Sequence, residues 1–283
     1  MTLIEVGLVD KTGKISPILL HAAARALHIQ VTRDLPRFWP VHAAVSYLPD
    51  AASIPAGIWP VFLVDKLPAG EGGSHLDRHN QPYAKVIATP DSPEWTIDAS
   101  HEILEMLVDP YGNRMQTGPS LKLVKGKPVD GHSQYAYLVE ACDPCQGDLH
   151  AYPIHGIAVS DFITPHYYDP IATPGARYSF TGAVKHPRQV LPGGYLSWVN
   201  HRNNRWQQLL WLDPKKPPLL HDYGPAPATA SLRAWVDGHM SRHAVENKTH
   251  SHRRQQNKRL MAECRAKRDE MEAIARTRGA LYE

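Results

Sequence analysis

Ser92-Pro-Glu-Trp-Thr-Ile-Asp98-Ala-Ser-His101-Glu102-Ile-Leu-Glu105-Met-Leu-Val-Asp109-Pro110 is the segment on which the fold turns. Ser92, Pro93 and Glu94 read as an N-cap, a proline at the first helical position and an acidic first turn. Pro110 disfavours helical backbone at the residue before it, so the segment predicts a helix over about 93–109. Residues four apart share a helix face, so His101 and Glu105 can chelate one ion. Glu102 points about 100° away, where a carboxylate can hold a water beside the metal and take its proton. The arrangement is that of His-Glu-x-x-His with the second histidine replaced by a carboxylate, a donor that zinc accepts. Ile97, Leu104, Leu107 and Val108 supply a second, apolar face, which sets the polar triplet inside a packed domain. Buried charge is costly unless paired, and a metal is such a partner. The competing reading is a solvated polar helix face, which the bare HExxE pattern also permits.

Upstream, Leu3–Val9 reads as a strand ended by the turn-like Asp10-Lys11-Thr12-Gly13. Ser16-Pro17 opens a helix over Ile18–Val31. Ala43–Leu48, Trp59–Val64 and Pro82–Thr89 read as three further strands, the last one placed to line the site and hold an extended substrate by backbone pairing. Downstream of Gly112 come loops and short strands: Leu121–Val124, Tyr135–Val139, Gly156–Ile163 and Tyr195–Val199. The proline-rich stretch 212–230 reads as a linker and 231–283 as a basic, helical or partly disordered tail. The apolar positions of that tail, Leu260, Met261, Cys264, Met271 and Ile274, are too sparse for a core of its own.

A catalytic zinc takes three protein ligands and keeps one position open. Beyond His101 and Glu105, three carboxylates are candidates. Asp109 lies about 12 Å of helical rise from His101 and reaches the ion only where the helix unwinds at Pro110. Glu140 follows the strand Tyr135–Val139, and Asp143, three residues later, suits the role of accepting from the other ring nitrogen of a metal-bound His. A turn with a surface salt bridge explains Glu140 and Asp143 equally well.

The segment Ser100-His-Glu-Ile-Leu-Glu-Met-Leu-Val-Asp-Pro110 is similar to the His-Glu-Leu-Ala-Glu segment, ending in Asn-Pro or Asp-Pro, of the plant phosphate-induced (Exordium-like) proteins and of zincin-like bacterial relatives. Glu140-Ala-Cys-Asp143-Pro-Cys145 resembles the Glu-Ile-Gly-Asp-x-Cys segment of that group, and Tyr195-Leu-Ser-Trp198 falls where such proteins close with a Trp-containing strand. The resemblance rests on two short motifs. It implies a zincin-type α+β fold: a mixed sheet with two core helices over 1–211, including a loop- and strand-rich subdomain, then the linker and tail. It also implies one Zn2+ per chain held by His101, Glu105 and either Asp109 or Glu140, with Asp143 behind them. The expected activity is that of a zinc-dependent metallopeptidase acting on peptide or protein, with Glu102 as catalytic base. The alternative is an inactive structural or binding protein, phage-related in one version, whose ion is fully ligated by His101, Glu105, Asp109 and Glu140. The chain departs from the plant pattern in its start, MTLIEVGLVDKTGK, which lacks a signal-peptide pattern, and in its linker and tail. The expected setting is therefore cytoplasmic, or a phage particle, with no membrane association.

The formal charge is +3, and 241–283 alone carry eleven Lys/Arg against six Asp/Glu. That basic tail is expected to bind a protein partner or nucleic acid, although it has no aromatic interleaving. Its His239, His243, His250 and His252 read as a solvated, weakly metal-binding segment. His75, Asp77 and His79 form either a second metal site or a polar loop beside the cleft, and Asp161 reads as a strand-end turn. Three cysteines exclude a disulfide framework. Cys142 and Cys145 form a CxxC pair, read as two ordinary thiols or as a metal or redox site. No Gly-rich phosphate loop and no Gly-x-Ser-x-Gly elbow is present.

Overall fold

Strand β1 (Ile4–Asp10) has a parallel neighbour on each side, β2 (Ala43–Tyr47) and β3 (Trp59–Val64), and its near-unbroken apolar run suits a strand covered on both faces. β3 pairs in parallel with β5 (Gln81–Ile87), and β4 (Gly73–Arg78) closes the sheet antiparallel to β5, giving the order β2-β1-β3-β5-β4. The computed structural model describes residues 2–69, 71–227, 232, 234–236, 238, 239 and 258–279.

Helix α1 (Pro17–Ile29) connects β1 to β2, and Ser16 caps it by accepting from the Leu19 amide. The helix runs on into a π-helical turn, Gln30–Asp34, which turns Gln30 and Asp34 inward. Helix α2 (Glu94–Val108) follows β5 and packs on β4 and β5. Its backbone helix begins one residue later than Pro93, although Ser92 Oγ still accepts from the Glu94 amide at 3.2 Å. Asp109 ends it, as Pro110 requires. From Trp95 to Val108 every residue except Asp98 is buried, so α2 is a core element on all sides.

A second, antiparallel sheet follows, built from the long hairpin β6 (Met115–Val124) and β7 (Lys127–Leu138) with β10 (Tyr195–Asn200), β11 (Arg205–Leu210) and β12 (Leu219–Gly224), in the order β12-β11-β10-β7-β6. A small hairpin of β8 (Tyr152–Ile154) and β9 (Ile157–Val159) sets β9 against both α1 and α2. The result is a mixed α/β protein with three sheets among the described residues.

Four expectations need correction. The strand beside the site that keeps an open edge is β4, not the stretch Pro82–Thr89, because β5 is hydrogen-bonded on both sides. β4 itself, Gly-Ser-His-Leu-Asp-Arg, lacked the apolar alternation that would mark it, and so did β11. The stretch 212–230 is not wholly linker, since Leu219–Gly224 pairs with β11. The tail is anchored: in α3 (Lys258–Gly279), Leu260, Met261 and Cys264 pack on Ile97 of α2, Ala151 and Ala158. His239 packs tilted against the Tyr223 ring and edge-on to Trp235, whereas His243, His250 and His252 lie outside the described residues. Among the described residues, no helix is long and apolar enough to cross a membrane.

Candidate metal centre

The inward face of α2 presents His101, Glu102 and Glu105 to residues from two other parts of the fold. From the end of β7 the chain passes through Glu140 into a short turn at Asp143–Cys145, and Ile163 N donates to the Ala141 carbonyl to hold it there. Gly194, just before β10, seats the turn from the other side: a Cβ there would lie 2.5 Å from the Asp143 carbonyl oxygen, so only glycine permits the approach. The third contribution is His75, from β4.

Glu105 is the common point. Its Oε1 accepts from the Cys142 amide at 3.1 Å, which aims Oε2 at His101 Nε2, 3.3 Å away, and toward His75 Nδ1 at 3.7 Å. Asp143 Oδ1 lies 3.2 Å from the same His101 nitrogen. His75 Nδ1 is also 3.5 Å from Glu102 Oε2. Carboxylate oxygens of Glu105, Glu140 and Asp143 lie within 4.8 Å of one another, as do donor atoms of His101, Glu105 and Cys142, and of His75, Glu102 and Glu105. Seven ionisable side chains thus meet in the core, and His101, the most accessible, is 9% exposed.

The electrostatics follow from burial. His101 loses hydration, which lowers its pKa, but Glu105, Asp143 and Glu102 outweigh that and hold it well above the usual histidine range. Burial and the Glu105 charge push Asp143 up to about 7 despite its contacts with His101 and Tyr195. Burial also holds the Cys142 and Cys145 thiols well above the usual range, so they are not thiolates at neutral pH on their own. Four carboxylates against two imidazoles leave an excess of buried negative charge that a protein core tolerates only with a cation or with protons.

Of the residues picked out by sequence, His101, Glu102, Glu105, Glu140 and Asp143 are brought together. Asp109 is not. Its carboxylate accepts from the Asn113 and Arg114 amides at 3.1 and 2.8 Å, closing the turn after α2, so its oxygens serve the backbone. Asp143 faces the same ring nitrogen as Glu105, not the opposite one, so it stands at ligand distance instead of behind the histidine. Asp77 and His79 sit at the exposed end of the β4–β5 hairpin, away from His75. Asp161 is a turn residue, accepting from the Phe162 and Thr181 amides and the Thr181 hydroxyl.

His75, which the sequence offered with Asp77 and His79 as either a second metal site or a polar loop, lies on β4 without those two partners. The signal was Gly72-Gly73 just before it. β4 crosses α2 so closely that a Cβ on Gly73 would meet Glu102 Oε1 at 2.6 Å, and one on Gly72 would meet Asp98 Oδ2 at 2.6 Å. Paired glycines ahead of a histidine marked a backbone laid directly over the site helix.

No protein-family model, curated protein or solved structure matches the chain.

Proposed function

We propose that the protein is a zinc-dependent hydrolase of metallopeptidase type on a zincin-like scaffold, with the ion held by His101, Glu105 and Asp143 and with Glu140 beside them. The observation that carries this reading is the spacing about His101 Nε2. Donors 2.0–2.1 Å from a tetrahedral zinc lie about 3.3 Å from each other. Glu105 and Asp143, from separate elements, stand at 3.3 and 3.2 Å from that nitrogen. Bound zinc supplies Lewis acidity toward a carbonyl and makes a neighbouring water acidic.

The chain's own residues supply the rest. Glu102, one position after the ligand His101, takes the proton of the attacking water and delivers it to the leaving amine. The open edge of β4 offers backbone groups to an extended peptide, and Gly73 brings that edge against Glu102. The Cys142 amide holds Glu105 in place through Oε1, which keeps Oε2 directed at the ion.

Two variants test the reading. Purified protein should carry zinc that His101→Ala loses, and Glu102→Gln should keep the metal while hydrolysis of a fluorescent casein falls by about 10²-fold or more. Folded wild-type protein that takes up no zinc sinks the proposal. The second reading, an inactive protein with a structural ion, is favoured by one observation: Glu105, Glu140 and Asp143, all buried and with carboxylate oxygens within 4.8 Å of one another, can supply three donors without solvent. It predicts bound zinc and equal, negligible turnover in wild type and Glu102→Gln.

A further inference from the structure

We infer that the centre has a second cation position, formed by His75 Nδ1, Glu102 Oε2 and Glu105 Oε2, with Glu105 shared between the two ions. This deepens the preceding reading and rests on it for the first ion.

The argument begins with the histidine. His75 is 1% exposed, and its Nε2 lies 3.3 Å from the Asp109 carbonyl oxygen. A carbonyl only accepts, so that nitrogen carries a proton, and in the neutral ring Nδ1 then carries the lone pair. The lone pair is directed at two carboxylates, Glu102 Oε2 at 3.5 Å and Glu105 Oε2 at 3.7 Å. His75 Nδ1 and Glu102 Oε2 each make no hydrogen bond, and both are shut off from solvent. Two acceptors facing one another in a dry core repel, and a divalent cation between them converts the arrangement into a ligand set.

The dimensions agree. Edges of 3.5 and 3.7 Å correspond to a tetrahedral ion with bonds of about 2.1–2.3 Å, within reach of zinc or manganese. His75 and His101 are each grouped with Glu105 but not with one another, so the donors divide into two sets that share one carboxylate. Paired-metal sites hold their ions about 3.5–4 Å apart, a separation that one shared carboxylate can bridge. One nitrogen and two carboxylates favour a first-row divalent ion over calcium, which takes oxygen only. Filling the second position commits the Glu102 oxygen that faces His75, so excess metal would slow any reaction that uses Glu102 as its base.

The test is stoichiometry. Full-length protein stripped of metal is dialysed against micromolar free Zn2+, and bound zinc per chain is measured by elemental analysis. Circular dichroism melts confirm the fold of each variant. Two zinc ions in wild type, one in His75→Ala and in His75→Gln, and neither tightly held in Glu105→Ala is the expected pattern. One ion in wild type that survives both His75 variants overturns the second position and leaves the first intact. One ion in wild type that the His75 variants lose overturns the two-ion centre and moves the single ion to β4. No ion in folded wild type overturns both readings. Should the variants fail to fold, the wild-type count of two or one still decides.

Discussion

Replacing Ser100 by alanine should cost more than any single hydroxyl on the surface. Ser100 Oγ donates to Gln30 Oε1 at 2.7 Å and accepts from the Ser160 amide at 2.9 Å. Gln30 Nε2 in turn donates to the Ser160 carbonyl at 3.0 Å and to Tyr152 Oη at 3.1 Å, and Tyr152 donates to Asp34. Ser100, Gln30 and Ser160 are at most 2% exposed, so no water substitutes for a lost partner. Ser100→Ala strands the Ser160 N–H and Gln30 Oε1 together. Each buried orphan costs about 1–3 kcal/mol, which sets the expectation at about 2–6 kcal/mol. At about 2–4 °C per kcal/mol for a chain of this size, the melting midpoint should fall by about 4–24 °C. Urea unfolding followed by tryptophan fluorescence measures this directly, with the slope unchanged. Thr32→Ala, whose exposed hydroxyl bonds the His28 carbonyl, is the control and should stay within about 0.5 kcal/mol. Adding Gln30→Leu to Ser100→Ala should cost less than the two singles summed, because one stranded atom is then removed. A Ser100→Ala cost below about 1 kcal/mol, or strict additivity of the pair, refutes the claim that this network ties α2 to the π-turn and β9.

Two further outcomes are expected. Gly73→Ala should push Glu102 out of position, since the new Cβ meets its Oε1 at 2.6 Å and its Cγ at 2.7 Å. Casein hydrolysis should fall while zinc dependent on His101 is retained, at a stability cost of about 1–3 kcal/mol. Unchanged turnover would show that β4 does not set the position of Glu102. Met261→Ala, at a site 2% exposed, should cost about 2–5 kcal/mol of the packing that seats α3. Limited trypsin digestion should then release the 258–279 segment much faster than in wild type, and identical digestion rates would mean that α3 is not held by this contact.

The site helix was legible because its start, its stop and its two faces are all local properties, carried by Pro93, Pro110 and the spacing of His101 and Glu105. The same holds for β3, which spans Trp59–Val64 as its apolar run between prolines and turn residues implies. What could not be read locally is how distant parts converge. Whether Asp109 or Asp143 reaches His101 depends on the turn after α2, where the Asn113 and Arg114 amides claim the Asp109 carboxylate. β4 and β12 escaped notice because edge strands carry polar and exposed residues and show no alternation; β12 buries only Gly224. His75 belongs to this group: its strand is set by pairing with β5, a contact that composition does not encode.

The seating of α3 on Ile97 has a consequence for synthesis of the chain. Ile97 belongs to the helix that carries His101, Glu102 and Glu105, yet the residues that cover it, Leu260, Met261 and Cys264, leave the ribosome long after α2 does. Until then that side of α2 stays open, and a nascent chain halted before α3 displays an apolar patch on its most charge-laden helix. Such chains are prone to associate with one another before α3 covers Ile97. Burial of that side of α2 is therefore completed only when the C-terminal helix arrives.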